Sequence, residues 1–186
     1  MNLLDWFEKG ITYDEYKEQM QVNREEMTSV YEQFQLTDAT KAALSSLKGI
    51  ASKVIVLTED WCGDALMNNP ILMKLAEELQ QDVRFVLRDS NLELMDQYLT
   101  NGTARSIPIF IFIDDEGNEK AVWGPRAVEA QNFVDNLRAE LPPKESEDFQ
   151  DKQKEMFKKV KQTYMEDKEL WQAVAASIVH KLKNER

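Results

Sequence analysis

The chain has 186 residues, 42% hydrophobic and 31% charged, the balance of one soluble core with room for additions. Its formal net charge of −11 makes nucleic acid and anionic membranes poor partners unless a basic patch is segregated. One Cys and one His cannot close a zinc site within a subunit, and one Cys cannot form an internal disulfide. No metal or cofactor is therefore expected, and the cytoplasm is the default compartment.

The segment from Met1 to Glu8 lacks the basic start and apolar stretch of a signal peptide. Thr12-Tyr13-Asp14-Glu15 and Asn23-Arg24-Glu25-Glu26 match the pattern in which a small polar cap is answered by Glu three residues on. Met27, Val30, Tyr31 and Phe34 follow at helical spacing, as do Leu44 and Leu47 after Thr37-Asp38, which predicts three short helices before residue 50.

At Lys53 the period changes. Val54-Ile55-Val56-Leu57 is a continuous apolar run, as in a strand covered on both faces. Beyond Cys62 the pattern turns helical through Leu66, Met67, Ile71, Leu72, Leu75 and Leu79, with Pro70 predicting a kink. Val83 to Leu87 reads as a strand and Leu92 to Leu99 as a helix. Ile107 to Ile113 is the strongest strand, joined through Asp114-Asp115-Glu116-Gly117-Asn118 to a hairpin partner at Lys120 to Trp123. A helix from Val128 to Leu141 ends at Pro142-Pro143. Two amphipathic helices follow, one carrying an apolar stripe of Phe149, Met156, Phe157, Val160 and Tyr164, the other Leu170, Trp171, Val174, Ile178 and Leu182. The basic stretch Lys152 to Lys161 is interleaved with Glu155 and reads as a solvated helix face. No repeat or low-complexity segment interrupts the order. It implies a parallel βαβ crossover plus an antiparallel hairpin, hence a mixed sheet with helices on both faces.

Four features then coincide in the order of one known fold. A buried strand leads into Trp61-Cys62-Gly63 at a helix start, and Pro70 follows eight positions later. Ser106-Ile107-Pro108 precedes the strongest strand, and Gly124 follows the hairpin. In this the chain resembles the thioredoxin superfamily, and more particularly a bacterial thioredoxin-like family with a Trp-Cys-Gly-Asp motif. The resemblance implies an α/β, three-layer thioredoxin-like sandwich over residues 51–141, with helical extensions at 1–50 and 142–186. It also implies a cis peptide before Pro108, facing Cys62.

The departures bear on chemistry. The family's Trp-Cys-Gly-Pro-Cys motif has Asp64 and Ala65 at its last two positions here, so a mixed disulfide at Cys62 would need an outside thiol for release. The family's buried Asp and nearby Lys, which serve the resolving cysteine, fall at Val56 and near Phe85. Dithiol reductase activity is thus not expected. At Cys62 the helix N-terminus favours thiolate whereas Glu59, Asp60 and Asp64 oppose it, and the expected outcome is a pKa modestly below that of a free thiol.

A buried inert cysteine is the default in an arbitrary chain, but this context points to an accessible, functional thiol. The leading expectation is a monothiol thiol-disulfide exchange protein in which Cys62 is the nucleophile. Trp61, Gly63, Asp64, Ile107 and Pro108 would line the substrate site. Protein thiols or disulfides would be its partners, with a small cellular thiol completing the cycle. The alternative is a redox-inactive binding module that keeps the groove. A third reading, a cluster- or glutathione-bridged dimer like monothiol glutaredoxins, suffers because Cys-Gly-Asp-Ala replaces Cys-Gly-Phe-Ser. His180 reads as a surface residue, Met67, Met73 and Met95 as core, and Trp6, Trp123 and Trp171 as packing anchors. Arg88-Asp89 and Asp114-Asp115 read as strand-end and turn residues.

Overall fold

The structure, a computed structural model, describes residues 2–184. Met1, Glu185 and Arg186, at the outer ends of the two expected extensions, lie outside the described residues.

Four helices precede the sheet: α1 (Leu3–Lys9), α2 (Tyr13–Gln19), α3 (Arg24–Gln33) and α4 (Asp38–Ser45). The sequence had implied three. Helix α1 carries only seven residues, too few for a readable period, and a capping box from Asn2 and Asp5 starts it. Thr12 caps α2 with Glu15 as expected. Asn23 does not cap α3. It adopts a left-handed conformation (φ 59°) and its Nδ2 donates instead to the Asp60 carbonyl at 2.8 Å. Asp60 Oδ2 in turn accepts from the Gln21 N–H at 2.7 Å, so the α2–α3 turn grips the segment before Cys62.

The sheet order is β2-β1-β3-β4, with β1 (Lys53–Thr58) parallel to β2 (Asp82–Leu87) and antiparallel to β3 (Ile109–Ile113). β4 (Glu119–Trp123) forms the hairpin with β3. Ile11 pairs with Phe85 through two backbone hydrogen bonds and covers the outer edge of β2. Side chains alternate across β1: Val54 and Val56 enter one apolar cluster, Ile55 and Leu57 the other. The first cluster is roofed by α5 (Gly63–Leu79), by both extensions and by α7 (Val128–Ala139). The second lies beneath α1 and the short α6 (Leu92–Met95).

Several boundaries differ from expectation, and α7 ends at Ala139 rather than Leu141. Helix α6 stops at Met95 rather than Leu99 and gives way to turns. Strand β3 starts at Ile109, because Pro108 has no N–H for the ladder and the Ile107–Pro108 peptide is cis. Helix α5 continues through Pro70 to Leu79. The chain closes with α8 (Phe149–Glu166) and α9 (Lys168–Asn184). Trp6, Trp123 and Trp171 are buried, as are Met67 and Met95, while Met73 packs at the margin. His180 is exposed on α9, next to Asn184. Among the described residues no helix is long and apolar enough to cross a membrane.

Candidate functional site around Cys62

Strand β1 ends at Thr58, and Cys62 is the N-cap of α5, where the first-turn amides lack intrahelical partners. The helix is moored there by two fully buried side chains. Asn69 Nδ2 donates to Thr58 Oγ1 at 3.0 Å, and Asn68 Nδ2 to the Pro125 carbonyl at 3.0 Å. A second cis peptide, Gly124–Pro125, thereby lies beside the Ile107–Pro108 turn. Gly124 has φ 134°, and a Cβ there would sit 2.2 Å from the Pro108 carbonyl oxygen, so only glycine fits.

The expected accessible thiol is corrected by this packing. Cys62 is 7% exposed, in the apolar cluster with Ala65 and Ile107, and its Sγ donates to the Ile107 carbonyl at 3.4 Å. The expected thiol acidity is also reversed. Burial, then the charge of Asp64, push the Cys62 thiol from its ordinary value of 9.0 up to about 11, against a smaller opposing pull from the Ala65 and Asp64 amides. The helix end and the neighbouring carboxylates are visible in the sequence, whereas desolvation, the larger effect, arises only from the packing. Because the native state holds this proton more tightly, the stabilisation is intact below pH 9 and is lost as pH rises toward 11. In that window Cys62→Ser is expected to lose up to about 3 kcal/mol less than the parent in urea titrations.

Trp61 remains outside, 51% exposed, with the Arg88 guanidinium 4.8 Å from its ring centroid. Asp89 holds Arg88 through Nε and Nη2 at 2.9 and 2.6 Å, and the Asp89 N–H donates to Glu59 at 2.7 Å. Burial raises the pKa of Glu59 despite that bond. Arg88-Asp89, read from sequence as strand-end residues, thus prop the indole. The expected platform changes accordingly: Ile107 and Pro108 are buried, and Trp61 with Arg88 forms the outward surface. A Cβ on Gly63 would meet nothing within 4 Å, which leaves open space above the first turn.

Asp64 is the surprise. It is 9% exposed, and its Oδ1 accepts from Arg126 Nε at 2.7 Å and from the Tyr164 hydroxyl at 2.8 Å. Burial, then the Asp64 charge, push the Tyr164 phenol up and keep it a donor. Neither partner was singled out in the sequence for this site. Arg126 stands 62 positions from Asp64 and Tyr164 100 positions, and a single sequence carries no signal for such pairings.

The model of the Thioredoxin family matches residues 10–138, more than half of the chain. The chain belongs to the thioredoxin family. No curated protein matches it. A 1.5 Å crystal structure of a Pseudomonas aeruginosa protein of unknown function aligns with 96% of this chain and 97% of its own, at a TM-score of 0.67 and 14% identity. An HIV epitope-scaffold aligns over the full length of both chains, at a TM-score of 0.70 and 12% identity. At these identities the two structures speak to the shared fold alone.

The two positions at or near which the resemblance would place a buried Asp and Lys are apolar. Val56 and Phe85 are partners in the β1–β2 register and both are buried. Ala65, at the second cysteine's position, is 2% exposed and packs in the same cluster as Cys62. No group of three or more His, Cys, Asp or Glu that could hold a metal ion occurs among the described residues.

Proposed function

We propose that this chain is a thioredoxin-fold docking module in which Cys62 rests as a protonated thiol. The observation that carries the reading is the state of the sulfur: buried, donating to the Ile107 carbonyl, and pushed up to about 11. The nucleophile in disulfide exchange is the thiolate, and at pH 7 such a group holds only about one in ten thousand molecules in that form. The binding surface has not been lost with it. Trp61 is exposed and propped by Arg88, and two more of the large exposed hydrophobics, Val22 and Leu92, lie on the segments flanking it. An exposed aromatic backed by a paired guanidinium fits a protein partner.

The experiment pairs a rate with a binding comparison. Cys62 should react with a small disulfide at pH 7 about thirtyfold more slowly than free cysteine, or slower still. Non-covalent partners retained by the parent should be retained by Cys62→Ser and lost by Trp61→Ala. Covalent partners that vanish with Cys62→Ser would instead establish monothiol exchange completed by an external thiol. One observation favours that second reading: the Ala65 and Asp64 amides act on the sulfur to favour its thiolate.

A further inference from the structure

A carboxylate occupies the second position of α5, where its charge adds to burial in opposing the pull of the helix end on the sulfur. It is not a loosely placed surface group. One oxygen, Oδ1, takes both the Arg126 guanidinium and the Tyr164 hydroxyl, and the Asp64 and Arg126 side chains are only 11% and 18% exposed. Arg126 is steadied from α7, where Gln131 Oε1 accepts from its Nη1 at 3.0 Å. Tyr164 is fully buried on α8, and its carbonyl accepts from Trp171 Nε1 of α9 at 2.7 Å. Two distant parts of the chain thus converge on a single oxygen, two residues from the thiol.

We infer that Asp64 and Arg126 are opposed positioning residues for Cys62, the carboxylate suppressing the thiol's reactivity and the guanidinium restoring part of it. Tyr164, from the C-terminal extension, fixes the oxygen through which both act. The inference rests on the reading of Cys62 as a resting thiol and names what sets that rest. The other groups facing this end of α5 are Glu59 and Asp60 on the preceding turn and Tyr16 on α2. After burial, the Asp64 charge raises the thiol and the Arg126 charge lowers it, so the two signs are opposed at the sulfur itself.

The test is iodoacetamide alkylation of Cys62 in the full-length chain as a function of pH. Asp64→Asn should move the midpoint of the pH–rate curve down by about one pH unit, and Arg126→Gln should move it up by a smaller amount. Tyr164→Phe leaves the charge pair in place and should move it less than Asp64→Asn. Arg126→Lys should return the midpoint toward the parent value. A merely structural role predicts something else, since loosening the loop would expose the thiol and speed both reactions. Midpoints that move in the same direction, or fail to move in Asp64→Asn, overturn the inference. If Arg126→Gln does not fold, Gln131→Ala removes only the support of Arg126 and must carry the same upward sign. Fast disulfide exchange by the parent would sink the docking reading and leave these signs untouched.

Discussion

Gly124→Ala is expected to cost about 3 kcal/mol or more, because it combines a forbidden backbone angle with a clash against backbone atoms. At φ 134° a residue with a side chain is strained whatever surrounds it. Here the new methyl would also meet the Pro108 oxygen at 2.2 Å and the Ile109 Cα at 3.2 Å, neither of which can rotate away. For a chain of this size the loss corresponds to a fall in Tm of roughly 6–12 °C in thermal unfolding. The damage would not stay local. The same turn carries Arg126 toward Asp64 and presents the Pro125 carbonyl to Asn68, so alkylation of Cys62 should change along with Tm. A variant that melts within 2 °C of the parent would show that the two turns are not held by this close approach.

Trp171→Ala should be the most damaging side-chain truncation, at about 4 kcal/mol. The indole is 1% exposed and meets Phe34 edge to face, with ring centroids 6.4 Å apart, so it joins the N-terminal helices to the C-terminal pair. Its Nε1 serves the Tyr164 carbonyl, one of the last carbonyls of α8 and beyond the reach of its own helix. Trp171→Phe refills most of the volume and leaves that carbonyl without its donor, which should cost about 1–2 kcal/mol. Urea unfolding of both variants separates the packing loss from the hydrogen bond. If alanine and phenylalanine prove equally costly, the cavity is not the main effect.

Much of the frame was legible because its signals are local. The apolar runs at β1 and β3 are unbroken, the hairpin has its turn residues, and the period changes sharply at Lys53 and after Cys62. Trp61-Cys62-Gly63, Pro70, Ser106-Ile107-Pro108 and Gly124 together point to the family, although each alone is weak. What escaped depends on distance or burial. Helix α1 is too short to show a period, and Asn23 looks like a cap until Asp60, 37 positions away, takes its side chain. The acidity of Cys62 is not legible in the sequence, because charges can be counted along a chain whereas desolvation cannot. In the sequence Asp64 is one more acid near the thiol. Its partners are a lone arginine after a proline and a tyrosine that looked like one more residue of an apolar stripe.

The bond between Tyr164 and Asp64 also bears on how the molecule comes into being. During synthesis the motif segment leaves the ribosome about 100 residues before the phenol that completes it. Until α8 has emerged, Asp64 is without one of its two donors, and the surface of α5 that α8 and α9 will cover faces water. The nascent thioredoxin-like part therefore spends most of its translation as an unfinished hydrophobic surface, and it is the last fifth of the chain that closes it.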